Sequence, residues 1–302
     1  MSLDYNDSGS GFKADRDSQH GHQQGSFVVR TFHNTGDVYQ GDLNWAGKMH
    51  DTLGTMKYAN GDVYIGEFMD GKITGKGKLT SNKSGNVYEG LFMTGKMHGE
   101  GKLTSKKNGF AYEGNFMNGK MHGEGKLILA NGNVFVGNFL DGNMQSEGKM
   151  ILANGDVYEG NFRDGKKDNT KMFKIKFKNG NLYEGYLNGD GNMHGQGKLI
   201  FNSNVYEGEF NNKKMHGKGK MIYANHDVYE GEWEASKMHG HGNFTQDGKC
   251  CQGEWIHGKN VNEMCVTCSV RGWGKWGFGG KRKSKRSKKS KTKRKRTRSK
   301  RS

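Results

Sequence analysis

Three segments of the chain begin like a phosphate-binding P-loop, with glycine, four other residues, glycine and lysine. They start at Gly66, Gly90 and Gly114. A P-loop continues with serine or threonine, whose hydroxyl binds Mg²⁺, whereas isoleucine or methionine follows the lysine here. The pattern also recurs every 24 residues within alternating, strand-like sequence. We therefore predict no nucleotide site and no cofactor.

Histidines that could ligate a metal recur at equivalent places in a repeated sequence pattern. They are His50, His98, His122, His194, His216 and His239. Equivalent positions in neighbouring hairpins lie about 10 Å apart, whereas zinc holds each histidine nitrogen at about 2 Å. Because neighbours in this row are too far apart to share an ion, we predict a structural role beside a turn and no metal. The row would gain positive charge below about pH 6.5.

A second row consists of glutamates that follow an aromatic residue. They are Glu89, Glu113, Glu159, Glu184, Glu207 and Glu230. General acid–base catalysis needs carboxylates in two different environments, and a ladder of equivalent residues offers no such pair. We instead expect cross-strand charge pairs with lysines such as Lys102 and Lys126. The sequence therefore predicts no catalytic residue and no enzyme.

The four cysteines form a cluster that does not follow the repeat. They are Cys250, Cys251, Cys265 and Cys268. A disulfide framework would distribute cysteines along the chain. A four-cysteine zinc site normally combines two C-x-x-C elements, and adjacent cysteines reach one tetrahedral ion poorly. Zinc is therefore the less favoured interpretation, and a C-terminal cap containing Trp273 and Trp276 is the favoured one.

The elements that must position these residues form an internal repeat. An aromatic residue stands two positions before a glycine nine times, at intervals of 23 to 25 residues, and Cys251 replaces the aromatic in a tenth copy. The repeat-defining pairs are Tyr39 and Gly41, Tyr64 and Gly66, Tyr88 and Gly90, Tyr112 and Gly114, Phe135 and Gly137, Tyr158 and Gly160, Tyr183 and Gly185, Tyr206 and Gly208, and Tyr229 and Gly231. Each copy contains two runs in which successive side chains alternate between two faces. This period of two predicts two strands, and therefore one β-hairpin, in each copy.

Turns and ring positions account for the 50 glycines of this proline-free, 302-residue chain. Asn-Gly dipeptides between copies, such as Asn60-Gly61 and Asn154-Gly155, predict two-residue type I′ turns. Strand glycines leave room for an aromatic ring to lie flat on the backbone. Ten stacked hairpins would form a sheet roughly 95 Å long.

Composition excludes several classes of protein. The absence of proline excludes collagen, and there is no run of about 20 apolar residues to cross a membrane. The N-terminus shows no signal peptide. We therefore expect an intracellular protein, in the cytoplasm or nucleus, or in a virion if its source is a large DNA virus.

The repeated sequence resembles the MORN (membrane occupation and recognition nexus) repeat. Residues 88–103 show its pattern, Tyr-x-Gly-x-Phe followed by Gly-Lys-Met-His-Gly-x-Gly-Lys-Leu. The resemblance implies an all-β fold: an elongated, twisted single antiparallel sheet of about ten stacked β-hairpins that serves as a scaffold or interaction module. Phospholipid binding is not a general property of these repeats.

The resemblance also divides the chain. We expect a polar arm over residues 1–30, the MORN-repeat array over 31–260, a Trp- and Cys-containing cap over 261–280 and a polybasic tail over 281–302. The pattern fails in the sixth and seventh copies, so we predict a bend or a change of twist near residues 165–195.

The tail accounts for nearly all of the net charge of +17, because the rest of the chain has 33 basic and 31 acidic residues. Its basic residues are Lys281, Arg282, Lys283, Lys285, Arg286, Lys288, Lys289, Lys291, Lys293, Arg294, Lys295, Arg296, Arg298, Lys300 and Arg301. Such a segment suits nucleic acid or another polyanion through counterion release, nuclear import, an acidic membrane surface, or solubility alone.

Two functions of different classes follow. The first is a non-enzymatic scaffold whose sheet binds protein partners, including a second copy of the chain, while the tail tethers it to nucleic acid or another polyanion. The alternative is an adaptor that associates with acidic phospholipid membranes. Neither requires a small-molecule substrate.

Overall fold

The computed structural model describes residues 26–247, 249–262 and 264–267. Their regular structure consists of strands in one sheet of 23 strands, and the ladders between them are antiparallel. The first twelve strands are β1 (Ser26–Phe32), β2 (Asp37–Leu43), β3 (Asp51–Lys57), β4 (Val63–Met69), β5 (Lys72–Thr80), β6 (Asn86–Met93), β7 (Lys96–Ser105), β8 (Phe110–Met117), β9 (Lys120–Ile128), β10 (Val134–Leu140), β11 (Asn143–Ile151) and β12 (Val157–Arg163). The others are β13 (Lys166–Lys167), β14 (Phe173–Lys176), β15 (Leu182–Leu187), β16 (Met193–Phe201), β17 (Asn204–Asn211), β18 (Lys214–Ile222), β19 (Val228–Glu234), β20 (Lys237–Gln246), β21 (Lys249–Ile256), β22 (Lys259–Asn260) and β23 (Met264–Thr267).

The strands follow one another through the sheet in chain order, as ten hairpins. We number the hairpins 1 to 10 by their first strands: β2, β4, β6, β8, β10, β12, β15, β17, β19 and β21. In hairpins 6 and 10 the second strand is interrupted. Strand β12 therefore pairs with both β13 and β14, and β21 pairs with both β22 and β23. The predicted all-β fold, a single antiparallel sheet of stacked hairpins, is confirmed.

The aromatic residues form the core on one face of this sheet. Tyr88 is buried, and its ring lies across Gly101 of the partner strand, where an added Cβ would overlap the hydroxyl group. The hydroxyl donates to the carbonyl of Leu91 at 2.8 Å. The ring also meets Phe92 and Phe116 edge to face, with centroids 5.0 and 4.9 Å apart. Because the rings of most hairpins contact their own hairpin and the next in the same way, one layer of strands buries an aromatic ridge.

The prediction of type I′ turns at the Asn-Gly dipeptides is wrong. Gly61 has φ 84°, but Asn60 is outside the left-handed region, so the loop is not type I′. This connection has three residues between the paired ends, a length that combines a type I turn with a left-handed glycine. The two-residue I′ turns lie within the hairpins instead, as at Thr94 (φ 48°) and Gly95 (φ 75°).

Neighbouring hairpins are joined by hydrogen bonds at both of their ends. At the end with the I′ turns, the amide of Gly95 in hairpin 3 donates to the carbonyl of Ile73 in hairpin 2 at 3.0 Å. At the opposite end, Asp62 Oδ1 accepts the amide of Asn82 at 2.8 Å. The second residue of each I′ turn therefore binds the second strand of the preceding hairpin.

Hairpin 6 departs from the regular pattern, as its sequence does. Its second half contains only β13 and the four-residue β14, and the Phe173 ring occupies the space beside Gly160. Tyr158 is half-buried, with the Lys167 ammonium 4.0 Å from the centre of its ring. The sheet continues through this region by β12–β14 and β14–β15 pairing. The predicted bend near residues 165–195 stays a prediction.

The ends of the sheet differ from the expected domain limits. Strand β1 begins at Ser26 and pairs with β2, although the array was expected to begin at residue 31. Strand β23 lies within the segment 261–280 that was expected to form a cap, and it extends the sheet beyond β21. Residues 1–25 and 268–302, including Trp273, Trp276 and the polybasic tail, lie outside the described residues.

Candidate functional site

An exposed row of large apolar side chains marks the face opposite the aromatic ridge. Each member ends the first strand of its hairpin, immediately before the I′ turn, and alternation places it on the outer face because the preceding phenylalanine points inward. We call the following residues of hairpins 2 to 5 the apolar row: Met69, Met93, Met117 and Leu140, with exposures of 56%, 53%, 44% and 49%.

The apolar row ends after four hairpins. The same position holds Arg163 in hairpin 6, Asn188 in hairpin 7, Asn211 in hairpin 8 and Glu234 in hairpin 9, and an apolar residue returns only in hairpin 10, as Ile256, which is 45% exposed. At two strands per hairpin, four consecutive members extend over roughly 30 Å. The repeat does not need an apolar residue here in order to fold, since hairpins 6 to 9 lack one, and the four consecutive members form a continuous surface that the isolated Ile256 does not.

The glutamate ladder forms ion pairs between hairpins. Lys78 Nζ of hairpin 2 lies 2.7 Å from Glu89 Oε1 of hairpin 3, and Lys198 Nζ of hairpin 7 lies 2.6 Å from Glu207 Oε1 of hairpin 8. The hydrogen bond and charge of Lys78 lower the pKa of Glu89, whereas Lys102, the partner expected from the sequence, has only a minor effect. Because these pairs are exposed, water and salt screen them and they contribute little to stability.

The repeated histidines lie beside the I′ turn of the next hairpin. His50 Nδ1 of hairpin 1 is 3.7 Å from Asp70 Oδ1, and Asp70 is the first turn residue of hairpin 2. The backbone fixes this approach because the amide of Gly71 donates to the carbonyl of Met49 at 2.9 Å. A groove of about 360 Å³ follows the same edge between hairpins 8 and 9, and its lining includes His216 and His239.

The cysteine cluster is only partly described. Cys251 is disulfide-bonded, contrary to the expectation from cysteine spacing, and its backbone lies opposite that of Cys265. Cys250 is a free, half-buried thiol. Cys268 lies outside the described residues. A zinc site of all four cysteines therefore stays a hypothesis, and a sulfur in a disulfide is not a thiolate ligand.

Comparison with protein families identifies the chain. The MORN repeat family model matches residues 64–85, 88–110, 112–134, 135–157, 158–169, 189–204, 206–228 and 229–249. These segments make up more than half of the chain and coincide with hairpins 2 to 9. The chain belongs to the MORN repeat family, a class of stacked β-hairpin proteins. No curated protein sequence matches it.

Similarities to solved structures are distant. The SAS-4 (dCPAP) TCP domain of Drosophila melanogaster, in complex with a proline-rich motif of Ana2 (dSTIL), shares 10% identity with a TM-score of 0.32, covering 56% of this chain and 97% of that one. A streptogramin B lyase shares 13% identity with a TM-score of 0.15, covering 76% and 90%. BamB from Moraxella catarrhalis shares 9% identity with a TM-score of 0.16, covering 68% and 91%.

Within the described ranges, no helix has the length and apolar character needed to cross a bilayer.

Proposed function

We propose that this protein is a non-enzymatic scaffold that binds a protein partner through the apolar row, while its polybasic tail tethers it to nucleic acid or another polyanion. The observation that carries the proposal is the unbroken run of exposed large apolar residues at one strand position of four consecutive hairpins, 2 to 5. A monomeric repeat protein gains nothing from holding four large apolar side chains in water, whereas a partner that covers them gains their burial.

The size of the apolar row favours an extended or helical partner segment. Complete burial of an exposed methionine or leucine side chain contributes roughly 1.5–3 kcal/mol, and these four side chains are about half exposed. Covering them would therefore contribute roughly 3–6 kcal/mol before the costs of association. A helix of about 20 residues would match the length of roughly 30 Å. Methionine also adapts its shape to different partners.

The tail supports the tether because its charge is separate from the array. Its 15 basic residues have no acidic residue among them, whereas the described ladder pairs lysine with glutamate. Binding through phosphate neutralisation weakens steeply as salt increases. Since the tail contains no aromatic residue for base stacking, the tether would show little sequence preference.

The sheet surface is tested by changing the apolar row alone. The variant M69S/M93S/M117S should lose co-purifying proteins, or self-association in sedimentation analysis, that the unchanged full chain retains. Serine at the exposed polar equivalent of hairpin 8, in N211S, should have no effect. Unchanged association by the methionine variant, or equal loss by both variants, would contradict the proposal.

The tether is tested by deleting residues 281–302. Binding to duplex DNA, RNA and acidic phospholipid vesicles is measured for both chains across a salt series. Loss of nucleic-acid binding with no binding to vesicles supports the tether. Selective binding of the full chain to vesicles favours the membrane adaptor instead, and binding that survives deletion contradicts both.

A further inference from the structure

Three side chains with metal-binding atoms meet at the junction of hairpins 9 and 10. Glu234 ends β19, His239 lies in β20, and His257 follows β21. Each brings one potential ligand atom to within 4.8 Å of the other two. Glu234 Oε2 is 3.5 Å from His239 Nδ1, and the two imidazole centroids are 5.6 Å apart.

The backbone holds the three residues in this arrangement. The amide of Gly258, which follows His257 in the turn, donates to the carbonyl of Met238 at 2.8 Å. This bond fixes the hairpin 10 turn beside His239. His257 is the first residue of that turn and has φ 50°, a conformation in which histidine is enriched. Glu234 faces Lys237 across the turn of hairpin 9, and strand pairing positions it.

Two of the three residues depart from the repeat at their own positions. Where hairpin 9 has Glu234, hairpin 3 has Met93 and hairpin 8 has Asn211. Where hairpin 10 has His257, hairpin 4 has Asn118. His239 alone belongs to the repeated histidine row. Neighbours in that row lie too far apart to share an ion, whereas residues from other positions can join one member of the row.

We propose that Glu234, His239 and His257 bind a zinc ion. Two imidazole nitrogens and one carboxylate oxygen are a common zinc ligand set that leaves a fourth position for water or another ligand. With metal–ligand bonds of 2.0–2.2 Å, two tetrahedral ligands stand about 3.3 Å apart. The separation of Glu234 and His239 is already close to that value. To complete the set, the exposed side chain of His257 must bring its nitrogen closer to the other two ligand atoms than the present limit of 4.8 Å.

A buried nitrogen of His239 has no hydrogen-bond partner, a feature that this repeat position shares with hairpin 4. His239 Nδ1 and His122 Nδ1 are both buried and make no hydrogen bond among the described residues, although buried polar atoms are normally paired. His239 differs from His122 because the Glu234 carboxylate lies 3.5 Å from its Nδ1 and His257 lies beside its ring. A zinc ion between these groups would use the lone pair of His239 Nδ1. The ion would also link hairpin 10 to hairpin 9 by side-chain ligands, in addition to the backbone bond at Gly258.

The test measures zinc binding by the full chain in competition with a chromophoric chelator. Each ligand is replaced by the residue that another hairpin carries at the same position, so that the turn and strand are kept: Glu234→Asn as in Asn211, His239→Gln as in Gln145, and His257→Asn as in Asn118. Each change should weaken binding at one site by about 100-fold or more, because loss of an outer-shell partner alone costs 10–100-fold.

His98→Gln is the matched control, because His98 occupies the same repeat position without the other two ligands. It should leave the affinity unchanged. Circular dichroism verifies that every variant keeps its sheet. Cobalt substitution separates this site from the cysteines, since only thiolate ligands give a strong sulfur-to-metal charge-transfer band. The proposal is overturned by wild-type protein that binds no zinc, by equal weakening in the control, or by a thiolate band from the only bound metal.

Discussion

The ring of Tyr88 lies so close to Gly101 that a methyl group on this glycine would overlap the tyrosine hydroxyl. The same relation joins Tyr112 to Gly125. It explains how a sheet without a second layer buries large side chains: the ring covers backbone, and its hydroxyl satisfies a carbonyl. Glycine at the second strand is therefore as important to the core as the aromatic residue itself.

Gly101→Ala should destabilise the protein by about 1–3 kcal/mol, the usual effect of overpacking. The added methyl group must displace the Tyr88 ring from its contacts with Phe92 and Phe116. Urea unfolding measures the effect. Gly189→Ala is the control, because a Cβ there meets no atom within 4 Å, and its change should be within about 0.5 kcal/mol. Equal stability of the two variants would show that the ring has space to move.

Tyr112→Phe should cost about 1 kcal/mol. Its hydroxyl donates to the carbonyl of Asn115 at 3.0 Å, and phenylalanine keeps the ring while removing this bond. Hairpin 5 carries Phe135 at the equivalent position, so the substitution should preserve the fold. A loss above about 3 kcal/mol in urea unfolding would mean that the hydroxyl does more than satisfy one carbonyl.

Alkaline pH should destabilise the array before the buried tyrosines ionise. Burial raises the pKa of Tyr88 and of Tyr112 to about 12, whereas a tyrosine in the unfolded chain has a pKa of about 10. Between these two pKa values the native state holds protons that the unfolded state has released, which favours unfolding. The contribution of the buried tyrosines to the free energy of unfolding is therefore complete below about pH 10 and is lost as the pH rises towards 12.

Thermal unfolding between pH 8 and pH 12 measures this dependence. The melting temperature should fall above about pH 10, and it should fall less steeply in the variant Y88F/Y112F. The comparison is needed because lysines titrate in the same range. Identical slopes for the two proteins would contradict the assignment to these tyrosines.

The I′ turns offer a reciprocal pair of substitutions. Thr94 has φ 48° and Asn118 has φ 50° at the same turn position, and asparagine tolerates this conformation better than a β-branched residue. Thr94→Asn should stabilise the protein by roughly 0.5–1 kcal/mol, and Asn118→Thr should destabilise it by a similar amount. Changes of the same sign in urea unfolding would show that the turn conformation does not decide the effect.

Periodic features of the fold were predictable because each hairpin repeats the same interactions. The alternation around Tyr88 and the glycine beneath its ring both follow from the two-residue period of a strand. The turn type at Asn60 was not predictable from the dipeptide, since it depends on a loop one residue longer than the I′ turn requires. The start of the sheet at Ser26 was also missed, because the first strand lacks the repeat pattern.

The candidate sites required the structure for a different reason. Met93 and Met117 occupy equivalent positions, and aligning the copies residue by residue would have revealed the apolar row. Glu234 and His257 lie 23 residues apart in different hairpins. Their approach to His239 depends on the bond between the Gly258 amide and the Met238 carbonyl, which sequence patterns do not indicate.

Site-specific photo-crosslinking in the native cell tests the scaffold most directly. A photoreactive amino acid replaces Met93 in one protein and Asn211 in another, two exposed positions that follow Phe92 and Phe210 in their hairpins. The account predicts a discrete protein adduct from position 93, none from position 211, and loss of the adduct when Met69 and Met117 are changed to serine. Equal adducts from both positions, or none from position 93, would contradict binding through the apolar row.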